Sequence, residues 1–109
     1  MSTRSKSFLK PSSVIVNNGY RLRISDSILN LLRGLHPQIK AQIKAGLKLT
    51  LDDLYCGKPL KGELEGLRSL RVKRYRIIYR PVIEKKEIDI IAIGPRKIIY
   101  EETYRMINK

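Results

Sequence analysis

A chain of 109 residues with 42% apolar side chains has room for one domain built on a single modest core, and not for two. Its 23 Lys and Arg against 10 Asp and Glu leave a net charge of +13, which raises self-repulsion and calls for a polyanionic partner. The single cysteine, Cys56, excludes a disulfide framework and a Cys-based zinc cluster. The polar, basic N-terminus has no apolar h-region, and the apolar runs are far too short to span a membrane, so the expectation is a cytoplasmic protein.

Residues 1–19 read as an extension rich in Ser, Asn and basic side chains, broken by Pro11 and closed by the turn signal Asn17-Asn18-Gly19. Within it, Ser13 to Val16 has the composition of an added edge strand, and the equal alternative is a tail that is flexible throughout. Period-two alternation in Tyr20-Arg21-Leu22-Arg23-Ile24 predicts a short strand. Ser25 and Asp26 supply N-cap chemistry for a first helix to about Leu35, with Ile28, Leu31, Leu32 and Leu35 as its apolar positions. His36, the only histidine, precedes Pro37 at the next helix start and reads as structural or exposed rather than as a general base.

A second helix is predicted from Pro37, a favoured first helical position, to about Tyr55. Ile39, Ile43, Leu47, Leu51 and Leu54 form its buried stripe. Lys40, Lys44 and Lys48 form a second stripe one residue over, read first as a solvated face beside the core, with RNA contact as the alternative. Gly57 to Gly62 reads as a loop. Leu67 to Val72 and Tyr75 to Val82 then predict two strands joined across Lys73-Arg74, pairing Val72 with Tyr75 and Arg71 with Arg76. After a turn at Glu84 to Lys86, the run from Glu87 to Ile93 predicts a central strand buried on both faces and stopped by Gly94-Pro95. Residues from Lys97 to Ile107 predict a short C-terminal helix. The expected fold is α+β: two N-terminal helices packed on a small, mainly antiparallel sheet in β-α-α-β-β-β order, with that helix following.

The charge is concentrated. Residues 67–80 carry six basic groups and no acid, Arg68, Arg71, Lys73, Arg74, Arg76 and Arg80, which is close to half of the net excess. Five of the six are Arg, the side chain suited to bidentate phosphate contact. No Ser-His-Asp or Cys-His set can be assembled, and neither metal-ligand spacings nor Gly-rich phosphate motifs occur, so no cofactor and no small-molecule ligand are expected. Asp52-Asp53 is the one acidic pair, and adjacent helical residues point about 100° apart, so it reads as a polar helix flank. What remains is a guanidinium-and-phenol set: Arg71, Arg76, Arg96 and Tyr100, with Lys58, Lys61 and Lys73 nearby. Converging arginines stabilise charge as it builds on a phosphate, and RNA carries its own nucleophile in the 2′-hydroxyl. Composition leaves two readings open, a nuclease and a clamp that binds phosphate without chemistry.

The stretch 58–80, and above all Leu70-Arg71-Val72-x-x-Tyr75-Arg76-Ile77-Ile78-Tyr79, followed by an apolar strand ending in Gly94-x-Arg96 with a Tyr shortly after, resembles the RelE/ParE superfamily of bacterial and archaeal toxins, the RelE branch in particular. The resemblance spans about residues 20–105, so residues 20–109 are expected to form the toxin domain and 1–19 an extension outside it. It implies a ribosome-dependent endoribonuclease that cleaves mRNA and is silenced by an antitoxin protein. By position, Arg76 matches the strand arginine that stabilises the transition-state phosphate, Arg96 the arginine after the last strand, and Arg71 the basic residue across the hairpin. Tyr100 matches the C-terminal tyrosine, with Tyr104 as the alternative. Lys58, Lys61, Arg68, Lys73, Arg74 and Arg80 are the expected RNA-binding set. Leu67 and Ser69 stand where some members carry lysines, and Pro95 stands where others carry a His. Two alternatives differ in class: a ParE-like inhibitor of DNA gyrase, and a non-catalytic RNA- or ribosome-binding module.

Overall fold

Every strand among the described residues lies in one sheet, and its period-two pattern faces two different environments. The structure is a computed structural model and describes residues 16, 17 and 19–95. In chain order these form β1 (Val16–Asn17), β2 (Tyr20–Ile24), α1 (Asp26–Arg33), α2 (Pro37–Asp52), β3 (Lys58–Pro59), β4 (Arg68–Val72), β5 (Tyr75–Val82) and β6 (Glu87–Pro95). Single 3-10 turns cover Gly62–Leu64 and Ile83–Lys85. The sheet order is β1-β2-β6-β5-β4-β3, antiparallel throughout except for the parallel pair β2–β6. A parallel neighbour requires a crossover, and the hairpin of α1 and α2 supplies it.

Both helices start as their caps dictate. The Ser25 hydroxyl accepts a hydrogen bond from the Ile28 N–H, and His36 Nδ1 accepts one from the Gln38 N–H with Pro37 opening α2. Their apolar stripes, Ile28 and Leu32 on α1 and Ile43, Leu47 and Leu51 on α2, pack with Leu22, Ile77, Tyr79, Ile88, Ile90 and Ile93 of the sheet in the main core. Each such side chain contributes about 1.5–3 kcal/mol on burial. Gly46 lies where α2 crosses the sheet: a Cβ there would stand 2.7 Å from Val72 Cγ2 and 3.0 Å from Ile77 Cδ1.

The hairpin register is as the sequence predicts, with Val72 opposite Tyr75 and Arg71 opposite Arg76. Helix α1 ends at Arg33 rather than Leu35, β4 starts at Arg68 rather than Leu67, and three further boundaries differ. Helix α2 ends at Asp52, not Tyr55, because Asp53 turns extended and its Oδ1 accepts the Tyr55 N–H at 3.0 Å, an Asx turn that competes with another helical turn. Within the expected loop, Lys58–Pro59 pairs with β4 as an edge strand, a place that tolerates proline's missing N–H. Strand β6 runs on through Gly94 to Pro95, which sits opposite Tyr75. Beyond Ile90 it has left β2, and among the described residues β5 is its one strand neighbour, so proline removes no donor that a described strand on the other side uses. Of the expected N-terminal edge strand, Val16 belongs to β1, whereas Ser13 to Ile15 lie outside the described residues. The expected C-terminal helix from Lys97 to Ile107 lies outside them as well. No helix among the described residues is long and apolar enough to cross a membrane.

A β-bulge fixes which side chains reach the sheet's outer face, the face away from the helices. Ile78 opposes Ala92 and Tyr79 opposes Ile90, so Ile91 is an extra residue on β6. The phase of the strand shifts there. Ile88 and Ile90 belong to the helix-side core before the bulge and Ile93 after it, while Ala92 joins Leu67 and Ile78 in a small cluster on the outer face.

Candidate phosphate site on the outer face of the sheet

Four strands contribute to the site. Arg71 of β4 and Arg76 of β5 stand directly opposite, so their side chains leave the same face, and Gly94 of β6 stands opposite Arg76 on its other side. Cβ atoms of such cross-strand pairs are about 4.5–5.5 Å apart. Gly94 has no side chain and so places no group of its own beside Arg76. Lys58 of β3 is opposite Ser69 of β4, which puts it on the same face one strand further out. Leu67, Ile78 and Ala92, with Leu60, Leu64 and Ile91 packed against them, give this face an apolar floor that strengthens any charge interaction above it.

The two arginines are held with little neutralisation. Arg76 is half-buried, and its buried Nε hydrogen-bonds to none of the described residues. Arg71 is exposed, and its one hydrogen bond to a described residue is long, Nε to the Lys73 carbonyl at 3.4 Å. Lys73 itself adopts φ 57°, the left-handed region that this tight turn demands of a residue other than glycine. Lys73 and Arg74 are exposed at the hairpin tip, and Lys61 is exposed in the connection after β3. Two like charges facing each other across a ladder are destabilising. The arrangement suits an anion bound between them.

The other basic residues of the hairpin are engaged by the protein itself. Arg68 points to the helix side, where Nε donates to the Gly57 carbonyl at 3.0 Å and Nη2 to the Tyr55 carbonyl at 3.1 Å, with its guanidinium 5.0 Å from the Tyr55 ring centre. Arg68 therefore ties the segment after α2 to the sheet edge and stands apart from Arg71 and Arg76. Arg80 is on the outer face but at its far end, 3.5 Å from Asp89. There Arg21 and Arg23 join it: Arg21 bonds Glu87 at 2.9 Å, and Arg23 lies 3.6 Å from Glu87 and 3.8 Å from Asp89. Arg96, Tyr100 and Tyr104 lie outside the described residues.

Tyr79 anchors the segment that carries Lys58. Its ring is fully buried, its hydroxyl donates to the Leu54 carbonyl at 2.9 Å and accepts the Gly57 N–H at 2.9 Å, and Cys56 Sγ lies 3.8 Å away. Burial pushes the phenol up to about 12, and the neighbouring Cys56 thiol adds to the rise against the opposing Gly57 N–H. Gly57 is required at this close approach, since a Cβ would stand 2.9 Å from the Ser69 carbonyl oxygen. Among the described residues, no three His, Cys, Asp or Glu side chains come together as a metal-binding group.

Sequence reasoning identifies the Arg71–Arg76 pair because hairpin register is local. It treats Gly94 only as a terminator, and it does not foresee Lys58 beside Ser69. The signal for Gly94 is the glycine itself, placed in a strand rich in isoleucine, where close approach of a ligand is one reason for its presence.

Residues 22–100 match the sequence model of the ParE toxin of the type II toxin–antitoxin system parDE. The chain is 34% identical over 83 residues to toxin RelG of Mycobacterium tuberculosis, across 74% of this chain and 95% of that one. Among solved structures it is similar to a chain of the toxin–antitoxin complex RelBE2 of Mycobacterium tuberculosis, with TM-score 0.60 and 33% identity, covering 71% of this chain and 98% of that one. The free E. coli toxin RelE, solved as a double arginine-to-alanine mutant, shares the fold with TM-score 0.66 at 22% identity, covering 80% of this chain and 92% of the other.

Proposed function

Since the chain belongs to the RelE/ParE family of type II toxin–antitoxin toxins, we propose that it is a ribosome-dependent endoribonuclease that inhibits translation by cleaving mRNA. The observation that carries this reading is the facing Arg71–Arg76 pair, with the Arg76 Nε buried and bonded to none of the described residues beside the bare Gly94 position. The identities to toxin RelG and to the RelBE2 complex favour the RelE branch.

The reaction is attack of an RNA 2′-hydroxyl on the adjacent phosphorus. The 2′-oxygen bond to phosphorus forms as the bond to the 5′-oxygen breaks, leaving a cyclic phosphate and a free 5′-hydroxyl. Arg76 and Arg71 stabilise the charge gathering on the non-bridging oxygens, the role in which removal of one preorganised donor costs about 10²–10³ in rate. Arg96, which follows Pro95 in the sequence, is the third arginine assigned to the clamp. The 2′-hydroxyl proton passes to a base and the leaving 5′-oxygen receives one from an acid, roles for which Tyr100, Tyr104 and the lysines of this rim are the candidates. Lys58, Lys61, Lys73 and Arg74 contact the RNA backbone, while Arg68 and Arg80 support the sheet that presents it. The partner that silences the protein is an antitoxin, and residues 20–109 constitute the toxin domain.

The test is primer-extension mapping of an mRNA in a translation extract, with wild type and with Arg76→Ala plus Arg96→Ala. Breaks within translated codons that vanish in the double variant support the reading. Normal translation without breaks overturns it. The family model that matches is that of a ParE toxin, which makes gyrase inhibition the second reading; loss of supercoiling at low toxin excess, without mRNA breaks, would establish that reading instead.

A further inference from the structure

Arg71 and Arg76 can hold a phosphate, but neither can protonate the oxygen that leaves it, because a guanidinium keeps its proton in proteins. A lysine ammonium carries three protons and can give one up. In an in-line displacement the attacking and leaving oxygens stand on opposite sides of phosphorus, so the proton acceptor and the proton donor stand on opposite sides too. The facing arginine pair has two such sides. Gly94 of β6 lies beside Arg76 on one, and β3 lies beyond β4 on the other.

The β3 side presents Lys58. It stands opposite Ser69, which is two residues before Arg71 on the same face of β4, so Lys58 is the diagonal neighbour of Arg71. Residues in that relation are about 7–8 Å apart, within reach of a long side chain. Lys58 is exposed and forms no ion pair with a described residue. The peptide that precedes it is fixed at both ends: the Gly57 N–H donates to the buried Tyr79 hydroxyl at 2.9 Å, and the Gly57 carbonyl accepts Arg68 Nε at 3.0 Å. The other lysines of the rim are placed less well. Strand β3 runs away from Arg71, from Lys58 opposite Ser69 to Pro59 opposite Arg68, so Lys61 starts farther from the pair. Lys73 lies in the turn, beyond the ends of both strands.

We propose that Lys58 is the general acid of the RNA cleavage, an assignment that deepens the nuclease reading and rests on it. As the 2′-oxygen bonds to phosphorus, the bond to the 5′-oxygen breaks and its electron pair stays on that oxygen. Lys58 Nζ supplies the proton that makes it a hydroxyl, and the amine left behind takes a proton from water. The 2′-hydroxyl proton passes to a base on the opposite side of the phosphate.

The test is the single-turnover rate of mRNA cleavage on programmed ribosomes, with wild type, Lys58→Arg and Arg76→Ala, each on two mRNAs. One mRNA is ordinary; in the other, sulfur replaces the leaving 5′-oxygen at a linkage that the wild type cuts. Sulfur leaves as a thiolate and needs no proton. Lys58→Arg keeps the charge and the backbone contact but cannot donate the proton, so it is expected to lose about 100-fold or more on ordinary mRNA and to cut the sulfur-containing mRNA as fast as wild type. That rescue also proves the variant folded. Arg76→Ala stays slow on both, because charge still gathers on the non-bridging oxygens. If Lys58→Arg matches wild type on ordinary mRNA, or is equally slow on both mRNAs, the assignment is overturned and the nuclease reading stands. A wild type that cuts neither mRNA overturns both.

Discussion

Arg76→Met separates what the site needs from what the fold needs. The Arg76 Nε is buried and bonded to none of the described residues, and its guanidinium shares a face with Arg71 directly across the ladder. An unsatisfied buried donor costs about 1–3 kcal/mol. A facing like charge adds up to about 1 kcal/mol. Methionine keeps an unbranched stem over the apolar floor of Leu67, Ile78 and Ala92 and removes both penalties. Allowing for some loss of packing, the expected gain in stability is about 1–3 kcal/mol. For a domain of this size each kcal/mol raises Tm by roughly 4–8 °C. Urea and thermal unfolding measure the gain, and the translation extract measures activity, which falls by about 100-fold or more. A variant that is inactive but more stable is the signature of a residue held in place for a ligand. If Arg76→Met melts below wild type, the guanidinium has a structural partner and the reasoning fails.

Tyr79→Phe leaves the Leu54 carbonyl and the Gly57 N–H without their partner and is expected to cost about 2–4 kcal/mol, read as a lower urea midpoint at unchanged m-value. Because the folded phenol is raised from 10.0 to about 12, its contribution is complete below pH 10 and is lost as pH rises towards 12, where the unfolded state ionises first. The wild type should therefore lose up to about 2–3 kcal/mol more than Tyr79→Phe between those values; parallel alkaline curves would remove the phenol from the account. Gly46→Ala gains about 1 kcal/mol of helix propensity but pushes a methyl to 2.7 Å from Val72 Cγ2, an overpacking term of about 1–3 kcal/mol. The net expectation is a modest loss of stability, and a rise in Tm would show that α2 can shift away from the sheet.

The sequence by itself determined what depends on near neighbours. The apolar stripe of α2, the cap at Ser25 and the pairing of Arg71 with Arg76 all follow from periodicity and turn length over a few residues, and all three are present. The density of arginine in residues 67–80 likewise marks the strands that carry the site. Tertiary structure decided which of those arginines are free. Arg68 and Arg76 look alike in sequence, yet strand alternation sends Arg68 to the carbonyls of Tyr55 and Gly57, which an Asx turn at Asp53 brings to the sheet edge. Arg80 is offset by Asp89, a partner set by the β5–β6 register. The parallel docking of β2 on β6 joins residues more than sixty positions apart, and no local period encodes such a contact. The bulge at Ile91 turns Gly94 onto the face of Arg76; in a run of apolar residues each fits either side of the sheet, so only packing against both layers fixes the phase.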